Sequence, residues 1–221
     1  MPQGRPICVL ISGGVDSAVL LHRSLSRDGT VLPLYLRCGL RWESAELYWL
    51  HRLLRAMRTS RLQPLCVIDA PLRAVYGVHW SVQGRSVPSA GSADAAVYLP
   101  GRNVLLASYA ALICAERKMS TIALGILNGN PFSDASPQFF RQLAGCLSRA
   151  LQRPIRLITP LRRFQKAEVL QMARGVPLQL TFSCLRPAGY RPCGRCNKCA
   201  ERAQAFRAAG LPDPTKYVRS S

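Results

Sequence analysis

The hexapeptide Ser12-Gly13-Gly14-Val15-Asp16-Ser17 limits the folds open to this chain more than any other stretch. An apolar run of strand length precedes it, and an apolar helix-like pattern follows it. Two glycines let a backbone approach a ligand closely, and the N–H groups at a helix N-terminus attract phosphate. We therefore predict a strand, a phosphate-binding turn and a helix. The alternative is a plain turn that uses Asp16 or Ser17 as the helix N-cap.

Strand-like and helix-like patterns alternate along the rest of the chain. Apolar runs occur at residues 6–12, 31–37, 65–69, 121–125 and 155–159, and helical periodicity at 16–27, 42–57, 104–118, 137–151 and 165–173. This order predicts an α/β fold with a parallel, five-stranded, doubly wound sheet, whose ligands bind beyond the C-terminal ends of the strands. Residues 70–100 lack periodicity, which favours a lid or substrate loop over a surface excursion.

The composition indicates a folded, strongly basic protein. Hydrophobic residues make up 48% of the chain, and no stretch has the roughly 18 apolar residues of a membrane-spanning helix. We therefore expect a cytoplasmic protein. The net charge is +19, but 26 of the 30 basic residues are scattered arginines. A surface that attracts anions such as ATP is favoured over a specific RNA partner.

Four of the nine cysteines are crowded near the C-terminus, with the spacing C-x8-C-x2-C-x2-C: Cys184, Cys193, Cys196 and Cys199. Four thiolates at this spacing predict a closed, structural Zn²⁺ site, with an iron–sulfur cluster or redox cysteines as alternatives. The other five cysteines are interpreted as small core residues. We divide the chain into an ATP-binding α/β domain over residues 1–180 and a zinc-binding segment over 181–221 packed on it.

The loop and the cysteines together resemble the 7-cyano-7-deazaguanine synthase family of PP-loop ATP pyrophosphatases over nearly the full length. The resemblance is carried by separate blocks: residues 12–17, Leu99-Pro100-Gly101-Arg102-Asn103, Thr159-Pro160-Leu161, Lys166-Ala167-Glu168, Thr181-Phe182-Ser183-Cys184, the Cys-Gly-x-Cys-x-x-Cys unit at 193–199, Arg202, Phe206, Asp213-Pro214 and Tyr217. It implies the adenine nucleotide α hydrolase-like fold.

The resemblance also implies a reaction. ATP and Mg²⁺ would activate 7-carboxy-7-deazaguanine by adenylation, ammonia would displace AMP, and a second ATP would convert the amide to the nitrile. Residues expected to act in catalysis are Ser12, Asp16, Ser17, Arg102 and Lys166. Residues expected to bind the nucleotide are Ile11, Ser12, Gly13, Gly14, Val15, Asp16, Ser17, Ala18, Gly101, Arg102, Asn103 and Gly125. For Arg102 and Lys166, a solvated basic residue at a helix start is the alternative.

Two blocks depart from the family pattern and concern the substrate. Residues 128–140 replace an Asp-x-Ser-Gly-Tyr-Pro-Asp-Cys-Arg block, and Cys38-Gly39-Leu40-Arg41-Trp42-Glu43 replaces a Tyr-Gly-Gln-Arg-His run. We predict that Arg41, Asn130, Asp134 and Ser136 contact the substrate. The alternative for Asp134 and Ser136 is a cap on the helix that begins at Pro137.

The departures keep open an enzyme that transfers a deazaguanine-like acid to another amine, including one on a protein. The basic charge keeps open a PP-loop enzyme that modifies tRNA. A third alternative is a nucleic-acid binder that does not turn over ATP, but the intact loop at residues 12–17 argues against it. The family resemblance favours a homodimer, and the lack of a long apolar stretch predicts no membrane partner.

Overall fold

The computed structural model describes residues 4–27 and 29–218 and contains one parallel sheet. Its strands are β1 (Ile7–Leu10), β2 (Val31–Arg37), β3 (Cys66–Asp69), β4 (Thr121–Ala123) and β5 (Arg156–Ile158), in the order β3-β2-β1-β4-β5. The order reverses beside β1, so the crevice expected in a doubly wound fold opens where β1 ends. The predicted fold class and all five strands are confirmed.

Helices connect the strands. They are α1 (Val15–Arg27), α2 (Glu43–Ala56), α3 (Arg73–Tyr76), α4 (Trp80–Gln83), α5 (Arg102–Glu116), α6 (Pro137–Ala150), α7 (Lys166–Gln171) and α8 (Asn197–Ala208). Alternate residues of β1 point to opposite faces of the sheet. Cys8 and Leu10 join a core cluster with α5, whereas Ile7 and Val9 join one with α1 and α7. Both faces are therefore covered, as a parallel sheet requires.

The segment from residue 70 to 100 is more ordered than its sequence suggested. It holds the single turns α3 and α4 and a 3-10 helix at Asp94–Val97. Helices of four residues are too short to leave a periodic apolar pattern, which explains why the sequence did not show them. No helix in the described part of the chain is long and apolar enough to cross a membrane.

The C-terminal segment shares the core of the sheet domain. Phe182 and Phe206 are almost fully buried, one in each core cluster. Arg202 is only 2% exposed, and its guanidinium donates hydrogen bonds to Thr181 Oγ1 at 2.7 Å and Asp213 Oδ1 at 3.1 Å. The outer ends of the two predicted segments, residues 1–3 and 219–221, lie outside the described residues.

The isolated cysteines were predicted to be core residues, and this holds for three of the five. Cys8, Cys38 and Cys114 are buried, Cys66 is partly buried, and Cys146 is exposed on α6. The prediction is wrong for Cys146, because that position lies on the outer side of an amphipathic helix whose buried residue is Phe140.

Candidate active site and cysteine cluster

A cavity of about 690 Å³ opens at the C-terminal ends of β1, β2 and β4. It runs from the phosphate loop to a polar pocket under α2 and α5. Of the residues predicted from sequence, the cavity is lined by Ile11, Ser12, Gly14, Val15, Asp16, Ser17, Arg102, Asn103, Gly125, Asn130 and Lys166. The structure thus brings together residues that are as much as 155 positions apart in the chain.

The conformation of the phosphate loop is set by hydrogen bonds of its own serines and by the backbone of one glycine. Gly13 has φ = 79°, in the left-handed region that favours glycine. Ser17 Oγ donates to the carbonyl of Gly14 at 3.1 Å and lies 3.4 Å from Ser12 Oγ. On the other side, a Cβ added to Gly125 would lie 3.4 Å from the backbone of Asp16 and Ser17, so the chain just after β4 lies against the start of α1 with little room for a side chain.

Lys166 joins two carboxylates at the edge of the loop. Its Nζ lies 3.5 Å from Asp16 Oδ2 and forms a closer ion pair with Glu201 Oε1. Burial lowers the pKa of Lys166, but the two carboxylates outweigh burial and raise it, so the ammonium stays charged at neutral pH. Burial likewise raises the pKa of Glu201, whereas Lys166 and Lys198 lower it to about 2. The result is a fixed array of charges beside the loop.

Two polar atoms that face this region have no hydrogen-bond partner among the described residues. They are Asp16 Oδ1 and Arg102 Nε, and both are buried. An unpaired buried polar atom is costly, so native proteins normally satisfy it with protein, water or a ligand. Because both residues line the cavity, the two atoms mark points where a ligand or cation would complete the site.

Arg102 is positioned by the start of α5. Gly101 has φ = 71° and precedes the first helical residue, as predicted from the sequence. The backbone N–H of Asn103 donates to Asp134 Oδ2 at 3.3 Å, and its side-chain amide donates to the carbonyl of Asp134 at 3.1 Å. These contacts fix the first turn of α5, so Arg102 projects from a rigid base.

Glu46, a carboxylate on α2, is a site residue to which the sequence analysis assigned no role. Glu46 lines the cavity, and its Oε2 accepts a hydrogen bond from the hydroxyl of Tyr35 at 2.7 Å. Burial raises the pKa of Glu46 to about 7, although Arg102 and hydrogen bonds from Tyr35 and Trp42 oppose the shift. The sequence signal was a second glutamate, three positions after Glu43, on a helix that otherwise buries apolar residues.

The four residues predicted to contact the substrate are separated by the structure. Asn130 lines the cavity, and its Oδ1 accepts from the N–H of Phe132 at 3.0 Å. Ser136 caps α6, because its Oγ accepts from the N–H of Phe139 at 3.1 Å. Asp134 caps α5, not α6. Arg41 is exposed, and its side chain crosses the open face of Gly84. Arg41, Asp134 and Ser136 lie outside the cavity lining, as do Gly13, Ala18 and Gly101.

The four C-terminal cysteines converge. The Sγ atoms of Cys184, Cys193, Cys196 and Cys199 all lie within 4.8 Å of one another. Backbone N–H groups of Leu185, Arg186 and Cys193 point at these sulfurs, with distances of 3.3–3.4 Å. Such N–H contacts stabilise thiolates, and four sulfurs at this separation can surround one tetrahedral metal ion.

The cysteine cluster is tied to the long connection between β3 and α5. The N–H of Asn197 donates to the carbonyl of Pro88 at 2.9 Å, and its side-chain amide donates to the carbonyl of Ser92 at 3.0 Å. The N–H of Ala90 donates to the carbonyl of Arg195 at 3.1 Å. Asp94 and Val97, just beyond this contact, line the cavity, so the connection reaches the site from the cysteine side.

The chain is similar to known proteins over almost its whole length. A family model described as "Queuosine biosynthesis protein QueC" matches residues 6–210. The 7-cyano-7-deazaguanine synthase of Anaeromyxobacter dehalogenans (strain 2CP-C) is 30% identical, and the match covers 98% of this chain and 97% of that protein. The enzyme of the same name from Xylella fastidiosa (strain 9a5c) is 32% identical, over 95% of this chain and 94% of its own.

Among solved structures, a predicted subunit of a tRNA methyltransferase from Methanocaldococcus jannaschii is 18% identical, with a TM-score of 0.47, covering 77% of this chain and 74% of that chain. The family expected from the sequence blocks is confirmed by the family model and by the curated relatives. The chain belongs to the queuosine biosynthesis protein QueC family.

Proposed function

We propose that this protein is an ATP-dependent ligase and nitrile synthase that converts 7-carboxy-7-deazaguanine and ammonia to 7-cyano-7-deazaguanine. One observation carries the proposal: the phosphate loop and the polar pocket around Arg102 and Glu46 line the same cavity. A carboxylic acid bound in the pocket would therefore face the phosphates of a nucleotide on the loop. The family's relatives are named for the same product.

The phosphate loop would hold the triphosphate. The N–H groups at the start of α1 and the hydroxyls of Ser12 and Ser17 supply donors, and the helix N-terminus adds a partial positive charge. Residues 11–18 and Gly125 would form this subsite. Asp16 fits a magnesium ligand, because its buried Oδ1 lacks a partner in the described chain and carboxylate oxygen is a preferred ligand of Mg²⁺.

Activation makes the substrate oxygen leave as part of AMP, because a carboxylate oxygen alone is a poor leaving group. ATP supplies the adenylyl group, and magnesium would neutralise the departing pyrophosphate. Lys166, held between Asp16 and Glu201, would place its positive charge near the phosphates, where negative charge develops. Arg102 would orient the acid through its unpaired Nε.

The cysteine cluster would hold one structural Zn²⁺ ion. All four positions of a tetrahedral site would be filled by sulfur, so the metal would have no open position for substrate. We also propose that residues 181–221 form a segment organised by this metal and packed on residues 1–180. Its role would be to fix α8, which carries Glu201, and the connection that reaches Asp94.

Product analysis tests the proposed function. Purified protein is incubated with ATP, Mg²⁺, ammonium and 7-carboxy-7-deazaguanine, and products are identified by mass spectrometry. We expect the nitrile with release of AMP and pyrophosphate. Accumulation of the amide would show that the reaction stops after ammonia has displaced AMP. A conjugate with another amine, in place of the nitrile, would show that the activated acid is transferred to a different acceptor. Absence of AMP with this acid would overturn the proposal.

A further inference from the structure

Glu46 is unlike the other carboxylates that line the cavity within the described chain. Asp16 faces the phosphate loop and Lys166, Glu201 pairs with two lysines, and Asp94 is exposed to solvent. Glu46 is partly buried, and no ion pair of Glu46 is found among the described residues. Its carboxylate is therefore available to a ligand in a sheltered position.

The hydrogen-bonding capacity of Glu46 is only partly used. A carboxylate offers about four acceptor sites. Tyr35 and Trp42 donate to it, which leaves room for two more donors. A protein that keeps a carboxylate in such a place normally pairs it, because an unsatisfied buried charge is expensive. Two adjacent N–H groups on a planar ligand would satisfy it.

Arg102 offers a hydrogen-bond donor near the carboxylate of Glu46. It is close enough to Glu46 to lower the pKa of that carboxyl, and its buried Nε lacks an acceptor among the described residues. The pocket therefore presents an acceptor pair and a donor. The pyrimidine edge of guanine presents the complement, namely a ring N–H and an exocyclic amine beside a carbonyl oxygen. An adenine edge, which lacks the carbonyl and the ring N–H, would be mismatched.

We propose that Glu46 determines specificity for the guanine-type ring by accepting hydrogen bonds from its ring N–H and 2-amino group, while Arg102 donates to its carbonyl oxygen. This proposal rests on the proposed function, since it concerns the ring of the acid that the enzyme activates. Trp42 and Phe132, which line the same cavity, supply apolar surface beside the ring. The carboxyl group of the acid would then extend toward the phosphate loop.

The test compares two substrates, 7-carboxy-7-deazaguanine and the analogue that lacks the 2-amino group, by AMP release. We expect wild-type kcat/KM to favour the amino compound by about 10²-fold or more, because a site built around hydrogen bonds rejects ligands that lack the partner. In Glu46→Gln the ratio should fall by at least tenfold. The amide has one acceptor where the carboxylate has two, and its NH2 group opposes a ligand donor.

Two further variants separate specificity from folding. Glu43→Gln is the matched control: Glu43 is on the same helix and is buried, but it accepts the N–H groups of Cys38 and Gly39 and lies outside the cavity lining. Its substrate ratio should equal that of wild type even if its stability falls. Glu46→Asp keeps the carboxylate, so it should lose rate but retain at least tenfold preference for the amino compound.

The outcomes distinguish the two proposals. If wild type releases no AMP with the amino compound, the proposed function fails. If wild type is active but favours the amino compound less than threefold, or if Glu46→Gln keeps the wild-type ratio, the role of Glu46 is wrong and the function stands. A large fall of the substrate ratio in Asp94→Asn, without such a fall in Glu46→Gln, would also overturn the role of Glu46. If Glu46→Gln fails to fold, the substrate ratios of wild type and of Glu46→Asp decide whether Glu46 has this role.

Discussion

Lys166 Nζ lies 3.5 Å from Asp16 Oδ2, so the first turn of α7 faces the first turn of α1 across the phosphate loop. The contact joins two of the sequence blocks that suggested the family, 150 positions apart. It explains why a lysine at a helix start is only 22% exposed and not solvated.

Lys166→Met should lower kcat/KM for ATP by about 10²–10³-fold, because it removes a fixed positive charge near the developing negative charge. The measurement is AMP formation at several ATP concentrations. The matched control is Lys216→Met, which removes an exposed lysine outside the cavity and should leave activity unchanged. Equal activity in the two variants would remove Lys166 from the catalytic machinery.

Purified protein should contain one zinc ion per chain by elemental analysis. Cys196→Ser should lose the metal and lower the Tm by more than about 10 °C, because ligand binding energy at such a site is folding energy. Cys146→Ser, which changes an exposed cysteine outside the cluster, should keep both metal and Tm. Iron and sulfide with visible absorbance would instead favour the iron–sulfur alternative.

The pKa of Glu46, about 7, predicts a pH dependence of stability. The folded carboxyl holds its proton to higher pH than the unfolded one, so the contribution of Glu46 to stability is greatest below about pH 4.5 and is lost as pH rises through 7. Tyr35 on β2, Trp42 and Glu43 beside it, and Arg102 on α5 face this group. Burial also raises the pKa of Glu43, which adds a decline of the same sign.

Glu46→Gln should remove the contribution of Glu46 and leave that of Glu43. The Tm of the variant, measured without ligand between pH 5 and 8, should therefore decline less steeply than that of wild type. The difference should reach a few degrees, since 1 kcal/mol corresponds to about 2–4 °C in a chain of this size. Parallel curves would mean that Glu46 titrates at an ordinary pH.

Gly125→Ala should raise the KM for ATP severalfold with a smaller change in Tm. The added methyl would lie 3.4 Å from the backbone of Asp16 and Ser17 and press on the loop. Gly145→Ala provides the comparison, because a Cβ at that exposed helical position meets nothing within 4 Å. That variant should keep the KM and gain up to about 1 kcal/mol in stability from helix propensity. An unchanged KM in Gly125→Ala would show that the loop tolerates the contact.

The parts of this protein that follow from local pattern were predictable. Each strand is an apolar run, α5 begins directly after Gly101, and the cysteine spacing is short enough to force convergence. The role of Asp134 was harder to predict. Its side chain caps α5 at Asn103, which lies 31 positions earlier in the chain, and only tertiary packing brings the two residues together. Glu46 was missed as a site residue for the same reason. Its partner Tyr35 is on β2, and its position facing the cavity depends on how α2 packs on the sheet.

The N–H of Phe182 donates to the carbonyl of Gly13 at 2.8 Å, so the phosphate loop is braced by a residue just before the first clustered cysteine. During synthesis on a ribosome, residues 12–17 emerge well before their brace at Phe182 and before α8. A nascent chain therefore carries the loop sequence long before it carries the nucleotide site. Competence to bind ATP would appear only after Phe182 and α8 have left the ribosome, so the site depends on a residue that is synthesised 169 positions after Gly13.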